Sequence, residues 1–260
     1  LLKQLPLDAP SVIQYATEWA MARLDPGEIS KGVMDRIKTR YDSGLHIGTD
    51  ISMLGDLQAD QGVRALLEIS NLSLDRGEKD AFAAACGKVA NPQLVAPLAR
   101  LLVASQREIW WKAVDALIKI DTDEAAKALQ PHLREEADLM RKLEISEYLG
   151  RHGMRDGYPY AIEHMSEPYL REQAVSALAA IGDPRAIGEL RNILETSNDV
   201  AWNSAAVRAL GRLGAVDLAP QFLEMAQNPK NPLAPSALIA LGDLGEAKAL
   251  EIVRGGFVSR

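Results

Sequence analysis

The sequence predicts an all-α fold, a right-handed superhelical α-solenoid of about seven to eight helical-hairpin repeats of ~31 residues. Three observations predict it. The first is self-similarity: Ala174-Val175-Ser176-Ala177-Leu178-Ala179-Ala180-Ile181-Gly182 returns as Ala206-Val207-Arg208-Ala209-Leu210-Gly211-Arg212-Leu213-Gly214, as Ala237-Leu238-Ile239-Ala240-Leu241-Gly242-Asp243-Leu244-Gly245 and, upstream, as Ala113-Val114-Asp115-Ala116-Leu117-Ile118-Lys119-Ile120-Asp121. The second is composition: the chain is rich in Ala and Leu, and aromatic residues make up only 5% of it, which suits closely packed helices better than sheets. The third is punctuation, because Gly, Asp or Asn, in places with Pro, follows the apolar stripe in copy after copy. Units of this kind cannot bury their apolar faces alone and must stack on neighbours.

An apolar anchor closes the first helix of each unit. The anchors are Leu57, Val89, Ile120, His152, Ile181, Leu213 and Leu244, at spacings of 32, 31, 32, 29, 32 and 31. Residues 1–45 read as degenerate helical repeat, with a weaker copy near Leu24 where Asp25-Pro26 mimics Asp183-Pro184. Residues 46–260 read as the solenoid proper, continuous with it. In the unit at 169–196, Ala174, Val175, Ala177, Leu178 and Ile181 form a stripe at helical spacing. Gly182 tolerates a left-handed cap, Asp183 can cap the next start, and Pro184 fits a first turn. Ala186, Ile187, Leu190 and Ile193 then form the buried face of the second helix. Asn91-Pro92 followed by Leu94, Val95 and Leu98 makes the same switch. Ala116, Ala177, Ala209 and Ala240 each precede the large leucine and are expected to let paired helices approach closely. The second helices are expected to line a concave face.

The formal net charge of −7 argues against a phosphate-gripping surface. Basic residues do recur, at Arg134, Arg141, Lys142, Arg151, Arg155, Arg171, Arg185 and Arg191. They are interleaved with acidic ones and read as solvated helix faces. No apolar run reaches the ~18 residues of a membrane span. Cys86 is the one cysteine; it takes a leucine's place in the repeat and reads as a buried hydrophobe. No Gly-rich phosphate loop, nucleophile elbow or i, i+4 histidine pair occurs, so no catalytic residue, metal ligand or cofactor is predicted. A single cysteine fits the cytoplasm. A start at Leu1 without methionine fits a fragment or processed product, and leaves localisation open.

Departures from the repeat carry the functional expectation. The fourth unit has His152 at its anchor and Tyr148 in place of a small residue, and its turn reads Gly153-Met154-Arg155-Asp156-Gly157-Tyr158-Pro159-Tyr160. Trp110-Trp111 stand one unit earlier. Trp, Tyr and Arg dominate binding hot spots, so Trp110, Trp111, Arg155, Tyr158 and Tyr160 are the expected partner-binding residues. The competing reading is that these aromatics repack a unit whose spacing changed. Trp202 shares its position with Ile109, Leu170 and Leu233 and is expected in the core. His152 is expected to be buried and bonded to a turn carbonyl.

The phrase Ala-Leu-x-x-Ile-Gly-Asp-Pro-x-Ala at 177–186 resembles the HEAT-like repeat family, in the short form first recognised in phycobilisome lyases. The resemblance covers about residues 45–256; the period is shorter than the ~40 residues of longer HEAT units. It implies an armadillo-like superhelix, in a family whose members include lyases, adaptors and scaffolds; the solenoid architecture itself points to binding rather than chemistry. The expected function is a non-catalytic protein–protein interaction scaffold or adaptor, holding a protein partner on its concave or irregular-repeat surface. The alternatives are a chromophore-lyase subunit or other enzyme accessory and, last, a nucleic-acid-binding module.

Overall fold

A computed structural model describes residues 26–57, 60–104 and 106–245. The regular elements among the described residues are helices: α1 (Pro26–Asp42), α2 (Gly48–Asp56), α3 (Asp60–Ile69), α4 (Arg76–Val89), α5 (Val95–Ala104), α6 (Arg107–Ile120), α7 (Asp123–Leu129), α8 (Leu139–Arg151), α9 (Tyr158–His164), α10 (Arg171–Ile181), α11 (Ala186–Thr196), α12 (Val200–Arg212), α13 (Ala219–Gln227) and α14 (Ala234–Asp243). Short 3-10 turns at Pro92–Leu94, Gln130–Leu133 and Val216–Leu218 lead into or follow them. The even-numbered helices from α2 onward are the first helices of the repeats, and the odd-numbered ones from α3 are the second. The copy near Leu24 lies outside the described residues.

The chain divides into two compact units that meet in sequence at Leu129 and Gln130. Each is a stack of helical pairs. In the first, α4 packs between α2 and α6; in the second, α8, α10, α12 and α14 pack one on the next. The odd helices lean on the even ones, α9 on α8 and α10, α11 on α12, and α13 on α14.

Local signals start and stop these helices. Asp75 forms a capping box with Glu78 at α4, and Asp138 and Asp199 accept backbone N–H groups at the starts of α8 and α12. Every described residue that directly follows an anchor is left-handed: Ala90, Asp121, Gly153, Gly182, Gly214 and Gly245. That conformation turns the chain into the next helix and satisfies a terminal carbonyl.

Small residues bring the even helices into contact. A Cβ on Gly55 would sit 2.6 Å from the Cα of Ala85, and one on Gly211 would sit 2.5 Å from the Cα of Ala240. At Gly87 the same distance to Ala116 is 3.3 Å. The close approach therefore joins first helices of successive repeats, rather than the two helices of one pair. The irregular fourth repeat keeps this contact, since Gly150 meets the backbone of Ala180 and Ile181. Its partner now falls on the last residue of α10, a helix of 11 residues where α8 and α12 have 13.

The core follows the anchor pattern. Leu117, Leu178, Leu210, Leu241 and Cys86 are buried, with Phe82, Phe222 and Tyr148 as the largest enclosed side chains. Burial pushes the Cys86 thiol far up, so it packs as a small hydrophobe.

Candidate functional site

The best-organised surface constellation lies on the second unit, where two consecutive turns meet. Gly153 reverses the chain after α8, and Gly157 sets the start of α9 hard against it: a Cβ there would collide with Ser146. This seats Tyr158, which packs on the hydrophobic core while remaining half-exposed. The next turn, after α10, presents Asp183 and Arg185. Asp183 Oδ1 accepts the Arg185 backbone N–H and Nε–H, both at 3.0 Å, and Oδ2 accepts Nη2–H at 2.7 Å. Arg155 adds an ion pair to the same carboxylate at 3.9 Å. The Arg185 guanidinium in turn lies over the Tyr158 ring, 4.3 Å from its centre.

One buried carboxylate therefore holds two arginines and, through one of them, a tyrosine. The Asp183 side chain is only 4% exposed, while those of Arg155 and Arg185 are 63% and 69% exposed. The Arg185 side chain, bonded to Asp183, holds its carboxyl down at about 2. Burial raises the Tyr158 hydroxyl above its usual value.

The other expected contact residues are placed as follows. Tyr160, half-buried on α9, has the Lys142 ammonium 4.5 Å from its ring centre. Trp110 and Trp111 belong to the first unit, half-buried on α6, with the Arg107 guanidinium 4.9 Å from the Trp111 ring. Arg155 and Tyr158 thus share one cluster, with Tyr160 on the same helix as Tyr158. Tyr148 is a core residue, and half-buried His152 packs edge-on against it at 4.8 Å. Trp202 packs against the core with its indole N–H unpartnered and the Arg171 guanidinium 5.4 Å from its ring. Tyr169, ahead of α10, is 92% exposed.

Sequence reasoning treats Asp183 as a cap and misses its second role. A signal is present: Arg155 and Asp183 are 28 positions apart, close to one period, in consecutive turns. Offsets near one period, from 26 to 32 residues, underlie a ladder of ion pairs. Lys88 reaches Asp56 at 2.6 Å and Lys112 reaches Asp80 at 2.5 Å; Arg76 pairs with Glu108, Arg171 with Asp199 and Arg191 with Asp217. Of the basic residues that sequence alone lets one read as a phosphate-binding stripe, Arg155, Arg171 and Arg191 face carboxylates of the next repeat, while Arg141 pairs with Glu144 on its own helix and Arg185 with Asp183 in its own turn. A polar groove of about 350 Å³ runs between α10 and α12, walled by Glu172, Gln173, Ser176, Arg208 and Arg212.

Residues 159–242 match the family model for HEAT repeats. No curated protein matches the chain. No helix among the described residues is long and apolar enough to cross a membrane.

Proposed function

We propose that this HEAT-like repeat protein is a non-catalytic protein–protein interaction scaffold whose second unit grips an acidic segment of a protein partner. HEAT repeats commonly mediate protein–protein contact, and the stacked helices of the second unit offer a surface for it. The observation that carries the reading is the Arg155–Tyr158–Arg185 cluster fixed on buried Asp183. Arginine and tyrosine are the residue types that concentrate binding energy. Guanidiniums held in place before binding lose little freedom on capture and present fork geometry to carboxylates. Tyr160 and exposed Tyr169 extend the surface on the same unit, and the groove between α10 and α12 adds Arg208 and Arg212.

The test is affinity capture from lysate of the native source, followed by titration calorimetry with the partner identified. Wild type is compared with Arg155→Ala/Arg185→Ala and with Tyr158→Phe/Tyr160→Ala, each verified by circular dichroism. Loss of a stoichiometric partner in the double-arginine variant, with retention in Trp110→Ala/Trp111→Ala, supports the assignment. A partner held equally by wild type and all three variants removes the site from this cluster.

A further inference from the structure

A second constellation lies in the first unit, where the N-terminal ends of α2 and α4 stand side by side. His46 lies two residues ahead of α2, Asp75 caps α4, and Glu78 is the third residue of α4. His46 Nδ1 is 3.1 Å from Asp75 Oδ2 and 3.5 Å from Glu78 Oε1, and a ligand atom from each of the three residues lies within 4.8 Å of the other two. We propose that His46, Asp75 and Glu78 form a three-ligand site for a divalent transition-metal ion of zinc type, pinning the start of one repeat to the start of the next.

Distance, charge and support each favour it. Tetrahedral zinc with bonds of ~2.0–2.1 Å holds its ligand atoms about 3.3 Å apart, and the two imidazole–carboxylate separations fall on either side of that value. A neutral imidazole with two carboxylates carries two negative charges, which a divalent ion balances; mixed nitrogen and oxygen donors suit zinc and its neighbours better than magnesium or calcium. The carboxylates are held in place by the backbone. Glu78 Oε1 accepts the Ile47 N–H at 3.0 Å, Glu78 Oε2 accepts the Asp75 N–H at 2.9 Å, and Asp75 Oδ1 accepts the Glu78 N–H at 2.8 Å. Each carboxylate oxygen has a second lone pair, so these bonds act as the outer support of a metal ligand without consuming it. The Glu78 side chain is 7% exposed, whereas His46 and Asp75 lie open and leave a fourth position to water.

The imidazole also occupies space kept clear for it. A Cβ on Gly48 would sit 2.5 Å from His46 Nε2, and one on Gly77 would sit 3.1 Å from Cε1. Two glycines, one on each helix, thus admit the ring. Metal on Nδ1 leaves the imidazole proton on Nε2. His46 is 29 residues from Asp75 and 32 from Glu78. A search for i, i+4 pairs on one helix passes over ligands that the repeat period, rather than the helical period, brings together.

The test is calorimetric titration of Zn²⁺ into untagged, chelator-treated protein, comparing wild type with His46→Ala, Asp75→Asn and Glu78→Gln. Asn at position 75 can still accept the Glu78 N–H, and Gln at position 78 keeps one of the two hydrogen bonds that Glu78 accepts, while the ligand charge is removed; circular dichroism verifies that each variant stays folded. The expected result is one equivalent bound by wild type and at least tenfold weaker binding in every variant. A rise in wild-type Tm with Zn²⁺, absent in the variants, is expected alongside it. No Zn²⁺ binding by wild type, or full affinity in any one variant, overturns the three-ligand site. Mg²⁺ binding as tight as Zn²⁺ binding overturns its transition-metal character.

Discussion

The two units make the same left-handed turn after their anchors with different residues. In the first unit the position is filled by Ala90 (φ 49°) and Asp121 (φ 53°); in the second by Gly153, Gly182, Gly214 and Gly245. Ala lacks the freedom that Gly has there, at a cost of roughly 1–2 kcal/mol, and Asp is only partly better suited. The backbone demand is thus common to both units, while the residue that meets it most cheaply is confined to one. The family match at 159–242 falls in the unit whose caps are glycine. A repeat is therefore carried by geometry for longer than it is carried by recognisable sequence.

Substitutions can break or sharpen this comparison. The largest effect is expected where helices touch. Gly211→Ala drives a methyl into the backbone of Ala240, and should lower stability by about 2–3 kcal/mol in urea unfolding. Gly188→Ala, on α11 with nothing within 4 Å, should be neutral or stabilising, which separates crowding from the substitution itself. Next comes exchange of the caps. Ala90→Gly should stabilise by about 1 kcal/mol and Gly182→Ala should destabilise by about as much. Equal and negligible shifts from both would erase the contrast between the units.

A smaller effect depends on pH. The folded Asp183 carboxyl titrates at about 2, below its ordinary value of 3.8, so the folded state resists taking up that proton. The stabilisation by its arginines is complete above about pH 4 and is lost as pH falls toward 2. The stability difference between wild type and Asp183→Asn should therefore shrink across that window when unfolding is followed at stepped pH. The smallest effect is expected from a single exposed rung of the ladder: Lys112→Ala, which removes the pair with Asp80, should change stability by no more than ~0.5 kcal/mol.

Sequence reads well wherever a residue answers to its own helix. The stripe Ala174, Val175, Ala177, Leu178 and Ile181 and the burial of Cys86 follow from periodicity alone, and the structure places them as expected. It reads poorly wherever a residue answers to the next repeat. Ala240 looks like a spacer within its own pair, yet it meets Gly211 of the preceding repeat. Asp183 looks like a cap, yet it also organises Arg155 one turn earlier in the stack. His46 looks isolated until Asp75 and Glu78 are brought beside it. A period says that neighbours exist, but which face of one unit meets which face of the next depends on backbone contacts that one sequence does not display.

The ladder of ion pairs has a mechanical consequence. Arg171 with Asp199 and Arg191 with Asp217 each tie one repeat to its neighbour, as do the glycine contacts beneath them. Within a unit, strain applied at one end thus loads a single joint before it reaches the next. Such a chain yields like a zip, tooth by tooth, and an end repeat can let go of the stack while the interior keeps its shape.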